Sequence, residues 1–249
     1  MKDILVEVCV DSVESAMAAQ EGGADRIELC DNLVEGGTTP SAGMIAACRN
    51  RLSIPIFVLV RPRGGDFLFS DVEEEVMLKD VASARELGAD GVVIGALRAD
   101  GSIDEERVFA MTRAAGSVSV TFHRAFDVSR DADEALEALV GLGIPRVLTS
   151  GQSPTALEGS GALAGIVRRA AGRIAILAGG GINEENAGRI VALTGVREVH
   201  VRGTSTVESG MRFRSPRVTM GKTFLPDDYK RSVTDPARIR RIVDVVAKD

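Results

Sequence analysis

The fold is indicated most clearly by residues 119–127, Ser119-Val120-Thr121-Phe122-His123-Arg124-Ala125-Phe126-Asp127, a short apolar strand with a polar end. Side chains alternate along a strand, so Thr121 and His123 share one face, while Val120 and Phe122 share the other. His123 is therefore expected at the carboxyl end of a strand, beside a cation and a carboxylate. An apolar strand, a polar end and a following helix recur along the whole chain.

Eight strand-then-helix units can be read along the 249 residues, at a spacing of about 27 residues. The predicted strands are residues 4–10, 26–30, 55–60, 91–97, 118–122, 146–149, 174–178 and 196–201. The predicted helices are residues 12–20, 41–50, 71–87, 103–115, 131–142, 155–171, 184–193 and 237–247. This pattern predicts an α/β fold, a single-domain (β/α)8 TIM-type barrel. The alternative, a doubly wound open sheet, needs a reversal of strand order that no feature of the sequence marks.

The chain is expected to divide into a barrel, residues 1–205, and a C-terminal segment, residues 206–249, packed on the barrel. Residues 207–233 are rich in Arg, Ser, Pro and Gly and are predicted to be irregular. Thr234-Asp235-Pro236 then caps a final helix, whose apolar residues fall on one face.

Composition narrows the class of protein. The net charge is −6 and there is no long basic run, which argues against general nucleic-acid binding. The start of the chain does not resemble a signal peptide, and no stretch approaches the roughly 20 apolar residues that span a bilayer. Three cysteines, an odd number, fit a reducing compartment. We therefore expect a cytoplasmic protein that binds neither nucleic acid nor membrane.

Strand alternation places a polar set on the faces that point into the barrel, near the carboxyl ends of the strands. Its members are Glu7, Cys9, Glu28, Cys30, Arg61, Arg63, Thr121, His123, Thr149, Glu198 and His200. Buried charges must pair with each other or contact a ligand. One interpretation is that the charges of these residues only neutralise one another. The other is a polar pocket at the end of the barrel where active sites lie in this fold.

A candidate anion site follows the seventh strand. Glycine backbone can approach an anion closely, so Gly179, Gly180 and Gly181, with Arg202 after the eighth strand, are candidate anion-binding residues. The alternative is that these glycines only make a tight turn. Arg61 and Arg63 could also grip a carboxylate or phosphate, or could instead fasten barrel carboxylates such as Glu7.

The chain lacks Cys-x-x-Cys and His-Glu-x-x-His metal motifs, a Gly-x-Ser-x-Gly elbow and a dinucleotide-binding Gly-x-Gly-x-x-Gly after the first strand. Cys9 and Cys30 nevertheless end the first two strands, and neighbouring strands lie about 4.8 Å apart. Two thiolates at that spacing could bind one soft ion such as Cu(I). The alternative for each cysteine is a small, buried apolar residue.

Taken together, these strand ends resemble the copper homeostasis protein CutC family. The matching stretches are Glu7-Val8-Cys9, Ala24-Asp25-Arg26-Ile27-Glu28-Leu29-Cys30, Gly36-Gly37-Thr38-Thr39-Pro40-Ser41, Arg61-Pro62-Arg63-Gly64-Gly65-Asp66-Phe67, Thr121-Phe122-His123-Arg124-Ala125-Phe126-Asp127, Leu148-Thr149-Ser150-Gly151 and Ala178-Gly179-Gly180-Gly181-Ile182. The resemblance implies a TIM-type barrel, a cytoplasmic location, a homo-oligomer (dimer or tetramer) and a role in copper homeostasis through Cu(I) binding. It assigns the copper ligands to Cys9 and Cys30. The motif residues that form the pocket are Glu7, Glu28, Arg61, Arg63, His123, Arg124 and Asp127.

Three hypotheses remain open at this point. The first is a copper-binding homeostasis protein. The second is an enzyme for a small anionic or phosphorylated metabolite, with the three glycines holding the anion, Arg61 orienting it, and His123 or Glu28 moving a proton. The third is an oligomeric scaffold without a ligand.

Overall fold

A computed structural model describes residues 4–218 and 227–247. The strands of the barrel are β1 (Leu5–Val10), β2 (Arg26–Leu29), β3 (Ile56–Leu59), β4 (Gly91–Ile94), β5 (Ser119–Phe122), β6 (Arg146–Thr149), β7 (Ala175–Gly179) and β8 (Glu198–Val201). The helices are α1 (Val13–Gly22), α2 (Ala42–Arg49), α3 (Asp71–Glu86), α4 (Glu105–Ala115), α5 (Ala132–Gly141), α6 (Ser160–Ala170), α7 (Ala187–Thr194) and α8 (Pro236–Val246). Two further strands, β9 (Thr204–Glu208) and β10 (Lys230–Thr234), lie between β8 and α8.

The eight parallel strands pair in chain order, and β8 pairs back onto β1 to close the barrel. This confirms the predicted (β/α)8 barrel and excludes the open sheet. The helices begin where the sequence supplies caps. Ser70, for example, accepts a hydrogen bond from the backbone of Glu73 at the start of α3, and the Glu73 side chain accepts one from the Ser70 N–H in return.

Two apolar layers hold the barrel together. The larger one lies between strands and helices and includes Val8, Ile27 and Phe122, all fully buried. The smaller one lies inside the barrel and consists of Cys9, Cys30, Phe57, Leu59 and Val93. The second layer places both cysteines on the inner side of their strands, as the alternation predicted.

The C-terminal region differs from the expectation. Residues 207–233 were predicted to be irregular, and residues 219–226 of that range lie outside the described residues. At its two ends, β9 and β10 pair as an antiparallel ribbon, from Thr204 opposite Thr234 to Glu208 opposite Lys230. Residues 209–218 and 227–229 form no helix or strand, as predicted. β9 runs across residue 205, the position of the predicted division of the chain. The final helix buries Ile239, Ile242, Val243 and Val246, as its spacing predicted.

None of the helices in the described ranges is long and apolar enough to cross a membrane.

Candidate functional site

The closure of the barrel brings three polar strands together. In the strand register, Glu7 on β1 lies opposite Arg26 on β2 and opposite His200 on β8. Cys9, two residues further along β1, lies opposite Glu28. The site is thus assembled at the junction of the first, second and last strands, close to their carboxyl ends.

The deepest part of the site is a chain of ion pairs. Glu7 Oε2 accepts a hydrogen bond from Arg26 Nε at 2.5 Å, and Glu7 Oε1 lies 2.7 Å from His200 Nδ1. Arg26 also donates to Glu198 at 2.8 Å, and Glu198 accepts from Arg146 at 2.6 Å. Burial would raise the pKa of Glu7, but Arg26 and His200 outweigh it and hold that pKa at about 2. Glu7 is therefore a charged, fully paired anchor rather than a free catalytic carboxylate.

A pair of cysteines lies next to these ion pairs, nearer the carboxyl ends of the strands. The Sγ atoms of Cys9 and Cys30 are 3.7 Å apart, and Cys30 Sγ lies 3.4 Å from Glu28 Oε2. The ligand atoms of these three side chains all lie within 4.8 Å of one another. Both thiols are free and buried, with 5% of Cys9 and 1% of Cys30 exposed. This arrangement matches the predicted pairing of the two strand ends.

The two thiols differ in protonation. The hydrogen bond from Cys30 lowers the pKa of Cys9 to about 5, against the opposing effect of burial, and His200 beside it adds to the lowering. Burial, followed by the nearby Cys9 sulfur, raises the pKa of Cys30. Burial and the charge of Cys9 likewise raise the pKa of Glu28. Near neutral pH the pair therefore contains the Cys9 thiolate and the Cys30 thiol, and burial favours the protonated form of Glu28 beside them.

A cavity of about 330 Å³ opens above the cluster at the carboxyl ends of the strands. The predicted site residues that line it are Cys9, Glu28, Arg61, His123, Arg124, Gly180, Gly181 and Arg202. The predicted residues that lie outside its lining are Glu7, Cys30, Arg63, Asp127 and Gly179. His200, which the prediction placed inside the barrel without a role, also lines the cavity.

His123 stands on the cavity wall as a neutral ring. Its Nδ1 accepts a hydrogen bond from the Ala125 N–H at 3.1 Å, and its ring centre lies 4.9 Å from that of Phe67. Burial, with the charge of Arg61 second, lowers the pKa of His123 to about 3. An imidazole that stays neutral to that pH is a hydrogen-bonding group near neutrality. This argues against the proton-transfer role predicted for it.

The side chains of Arg61 and Arg63 bind different partners in different parts of the structure. Arg61 is buried and donates to the carbonyl oxygens of Glu35, Gly37 and Gly65 at 2.7–3.0 Å, so the predicted alternative that it fastens Glu7 is wrong. Arg26 takes that role because the register sets it directly opposite Glu7. Arg63 points away from the cavity, where it forms ion pairs with Glu73 at 2.5 Å and Asp66 at 3.0 Å.

Asp127 organises a loop. It accepts hydrogen bonds from Thr149 Oγ1 at 2.5 Å and from the Ser150 and Gln152 backbone at 3.0 and 3.1 Å. It also pairs with Arg124 at 2.7 Å, and this holds the Arg124 side chain against the rim of the cavity. Asp127 thus positions the segment after β6 and does not face the cavity.

The local structure explains why glycine is found at each of these three positions. Gly179 belongs to β7, where a Cβ atom would lie 2.6 Å from Leu148. Gly180 and Gly181 have φ values of +105° and +72°, which favour glycine. α7 begins only at Ala187, later than the predicted residue 184, so a turn separates the glycines from the helix N-terminus. Gly181 therefore does not adjoin the N-terminus of α7.

Two groups were missed as site residues, Arg26 and His200. Burial opposes protonation of His200, but Glu28, Cys9 and Glu7 together raise its pKa well above the ordinary value. Both positions follow from strand alternation, since Arg26 shares a face with Glu28 and His200 with Glu198. The usable signal was that buried carboxylates at these positions require cations on the neighbouring strands.

Comparison with known proteins gives a consistent result. The model of the CutC family matches residues 4–205. A family protein CutC from Bacteroides fragilis is 50% identical and covers 99% of this chain and 98% of its own length. The human copper homeostasis protein cutC homolog is 49% identical and covers 98% of this chain and 89% of its own length.

Solved structures agree at the level of the fold. The crystal structure of CutC from Streptococcus agalactiae is 36% identical, with a TM-score of 0.77 over 80% of this chain and 98% of that chain. Thiamine phosphate pyrophosphorylase from Pyrococcus furiosus, at 19% identity and a TM-score of 0.62 over 99% of this chain and 97% of that one, shares the barrel alone. From its sequence match and its barrel, this chain belongs to the CutC family.

Proposed function

We propose that this protein binds Cu(I) at Cys9 and Cys30 and acts in copper homeostasis. The observation that carries the proposal is the pair of sulfur atoms 3.7 Å apart, one of them a thiolate. Thiolates are the preferred ligands of Cu(I). The names of the relatives in human and mouse, both copper homeostasis protein cutC homologs, support the same role.

The donor set fits a soft, singly charged ion. Metal–thiolate bonds are about 2.3 Å long, so two sulfurs at this separation both reach one ion placed between them. Glu28 and His200 are the other polar groups beside the sulfurs, at 3.4 Å from Cys30 and in contact with Cys9 respectively. Oxygen ligands suit harder ions, so the two sulfurs are the defining ligands in this proposal.

The surroundings of the pair support metal exchange with a carrier. Cys9 lines the cavity and is accessible from it, whereas Cys30 lies behind it with 1% of its surface exposed. All three cysteines are free, although two of them lie close together, which supports a reducing compartment such as the cytoplasm. The homo-oligomeric state that the family resemblance implies stays a prediction.

The test is an anaerobic titration with Cu(I) against a competing chelator. The wild type is expected to bind one Cu(I) per chain, and the Cys9→Ser/Cys30→Ser double variant is expected to lose that binding. Cys48→Ala is the matched control, because Cys48 is also buried but lies on α2, in the outer layer of the core. Binding that survives in the double variant, or disappears in the Cys48 control, would remove the basis of the proposal.

A further inference from the structure

Two buried polar atoms on the wall of the cavity have no hydrogen-bond partner among the residues that the structure describes. They are Arg61 Nε and His123 Nε2. Their side chains are 6% and 5% exposed, and both line the cavity. A buried polar group without a partner costs free energy comparable to a lost hydrogen bond, so such groups are rare without a reason.

Both atoms are donors. An arginine Nε always carries hydrogen. His123 Nδ1 accepts the Ala125 N–H at 3.1 Å and therefore has no hydrogen of its own. The neutral ring must then carry its single proton on Nε2. Two residues that line the cavity thus each hold a buried N–H group without a partner, and that partner must be an acceptor.

The partner is also anionic. The three hydrogen bonds of Arg61 all end on main-chain carbonyl oxygens, and no carboxylate in residues 4–218 or 227–247 forms an ion pair with it. Glu35 acts on this guanidinium from beyond ion-pair distance, and a buried charge that lacks a close counter-charge is costly. Arg202, on the same cavity, likewise forms no ion pair within the described ranges. An anion in the cavity would supply the missing charge.

The ring of Phe67 lies beside both of these side chains. The Arg61 guanidinium lies 5.0 Å from the centre of the Phe67 ring, and the His123 ring lies 4.9 Å from the same ring. Leu59, Leu148 and Ile182 add apolar surface to the cavity. A volume of 330 Å³ is at the small end of ligand pockets, so the occupant is a small organic molecule.

We infer that this cavity binds a small organic carboxylate whose oxygens accept hydrogen bonds from Arg61 Nε and His123 Nε2. Two single N–H donors match the two oxygens of a carboxylate, whereas inorganic phosphate has four oxygens and more charge to satisfy. The inference goes beyond copper binding and does not rest on it, because neither donor belongs to the cysteine cluster.

The test measures the binding of pyruvate, acetate and inorganic phosphate to the full chain by calorimetry, at constant ionic strength with chloride as the control anion. Pyruvate is expected to bind with a Kd on the order of 1 mM, because a ligand with so few atoms makes few contacts. In His123→Asn the amide oxygen can still accept the Ala125 N–H, but the outer donor is lost, so affinity should fall about tenfold or more. In His123→Gln an amide N–H takes the place of Nε2 and should restore affinity to within about threefold.

A second measurement does not depend on the variants. Nitrogen-15 NMR of the wild type should show His123 protonated at Nε2, with that resonance shifting when pyruvate is added. Wild-type protein kept metal-free by a Cu(I) chelator should bind pyruvate, which separates this inference from the copper proposal. Phosphate binding without carboxylate binding, no binding of any probe, or a proton on Nδ1 would each overturn the inference.

Discussion

His123 makes the stability of this protein depend on pH in a direction that can be calculated. The ring is neutral in the folded protein, because burial and Arg61 lower its pKa to about 3 from an ordinary value of 6.5. In the unfolded chain it returns to that ordinary value. As the pH falls below 6.5, the unfolded chain therefore gains a proton that the folded protein excludes. The contribution of His123 is complete above pH 6.5 and is lost as the pH falls towards 3.

The size of the effect follows from the same pKa difference. Each pH unit between the two pKa values costs about 1.4 kcal/mol of unfolding free energy. At pH 5 the loss attributable to His123 is about 2 kcal/mol. Replacing the ring by glutamine, which does not titrate, should abolish this loss. The acid sensitivity of His123→Gln should therefore be smaller than that of the wild type by about 2 kcal/mol.

Urea unfolding of both proteins at pH 7 and pH 5 provides the assay. The fall in unfolding free energy between the two pH values is measured for each protein and then compared. Carboxylates and His200 titrate in both proteins, so their contributions cancel in the comparison. Any constant cost of the substitution cancels as well. Equal falls in the two proteins would show that His123 is not held neutral and would refute the reasoning.

Three other substitutions test the surroundings of the site by urea unfolding. Gly95→Ala would place a Cβ atom within van der Waals overlap of the His123 ring and should cost about 1–3 kcal/mol; an unchanged midpoint would contradict that packing. Asp127→Asn replaces one of two acceptor oxygens by an amide donor and should cost about 1–3 kcal/mol; an unchanged midpoint would contradict its role in the loop. Glu184, whose pKa Arg238 holds at about 2, should stabilise fully above pH 4.5 and less as the pH falls towards 2. Glu184→Gln should cost about 1 kcal/mol at pH 7 and clearly less at pH 2, and a pH-independent cost would contradict the ion pair.

The sequence was sufficient for the barrel and for the side of each strand that faces inward. Alternation alone placed Cys9 and Cys30 inside, and the repeated strand-then-helix units indicated closure. The choice of partner within the barrel could not be predicted, because it depends on strand register. Arg61 and Arg26 were equally good partners for Glu7 by residue type, and only the offset between β1 and β2 selects Arg26.

The ribbon and the histidine show two other limits of sequence reasoning. β9 and β10 carry few apolar residues, so the alternation that marks a buried strand was missing there. The protonation state of His123 depends on its burial and on the charge of Arg61, a residue that follows another strand. A charge state that is set by neighbours distant in sequence cannot be read from a local motif.

The junction of β1 and β8 has a consequence for how the protein is made. Glu7 and its partner His200 are 193 residues apart, so the ribosome delivers the carboxylate early and the imidazole near the end of translation. For most of that interval the strand that completes the polar surroundings of the two thiols is still being synthesised. Arg26 is synthesised soon after Glu7, so the carboxylate can acquire its arginine partner long before its histidine partner. A chain that stops before residue 200 would leave one Glu7 oxygen without that histidine, in a barrel that β8 has not closed.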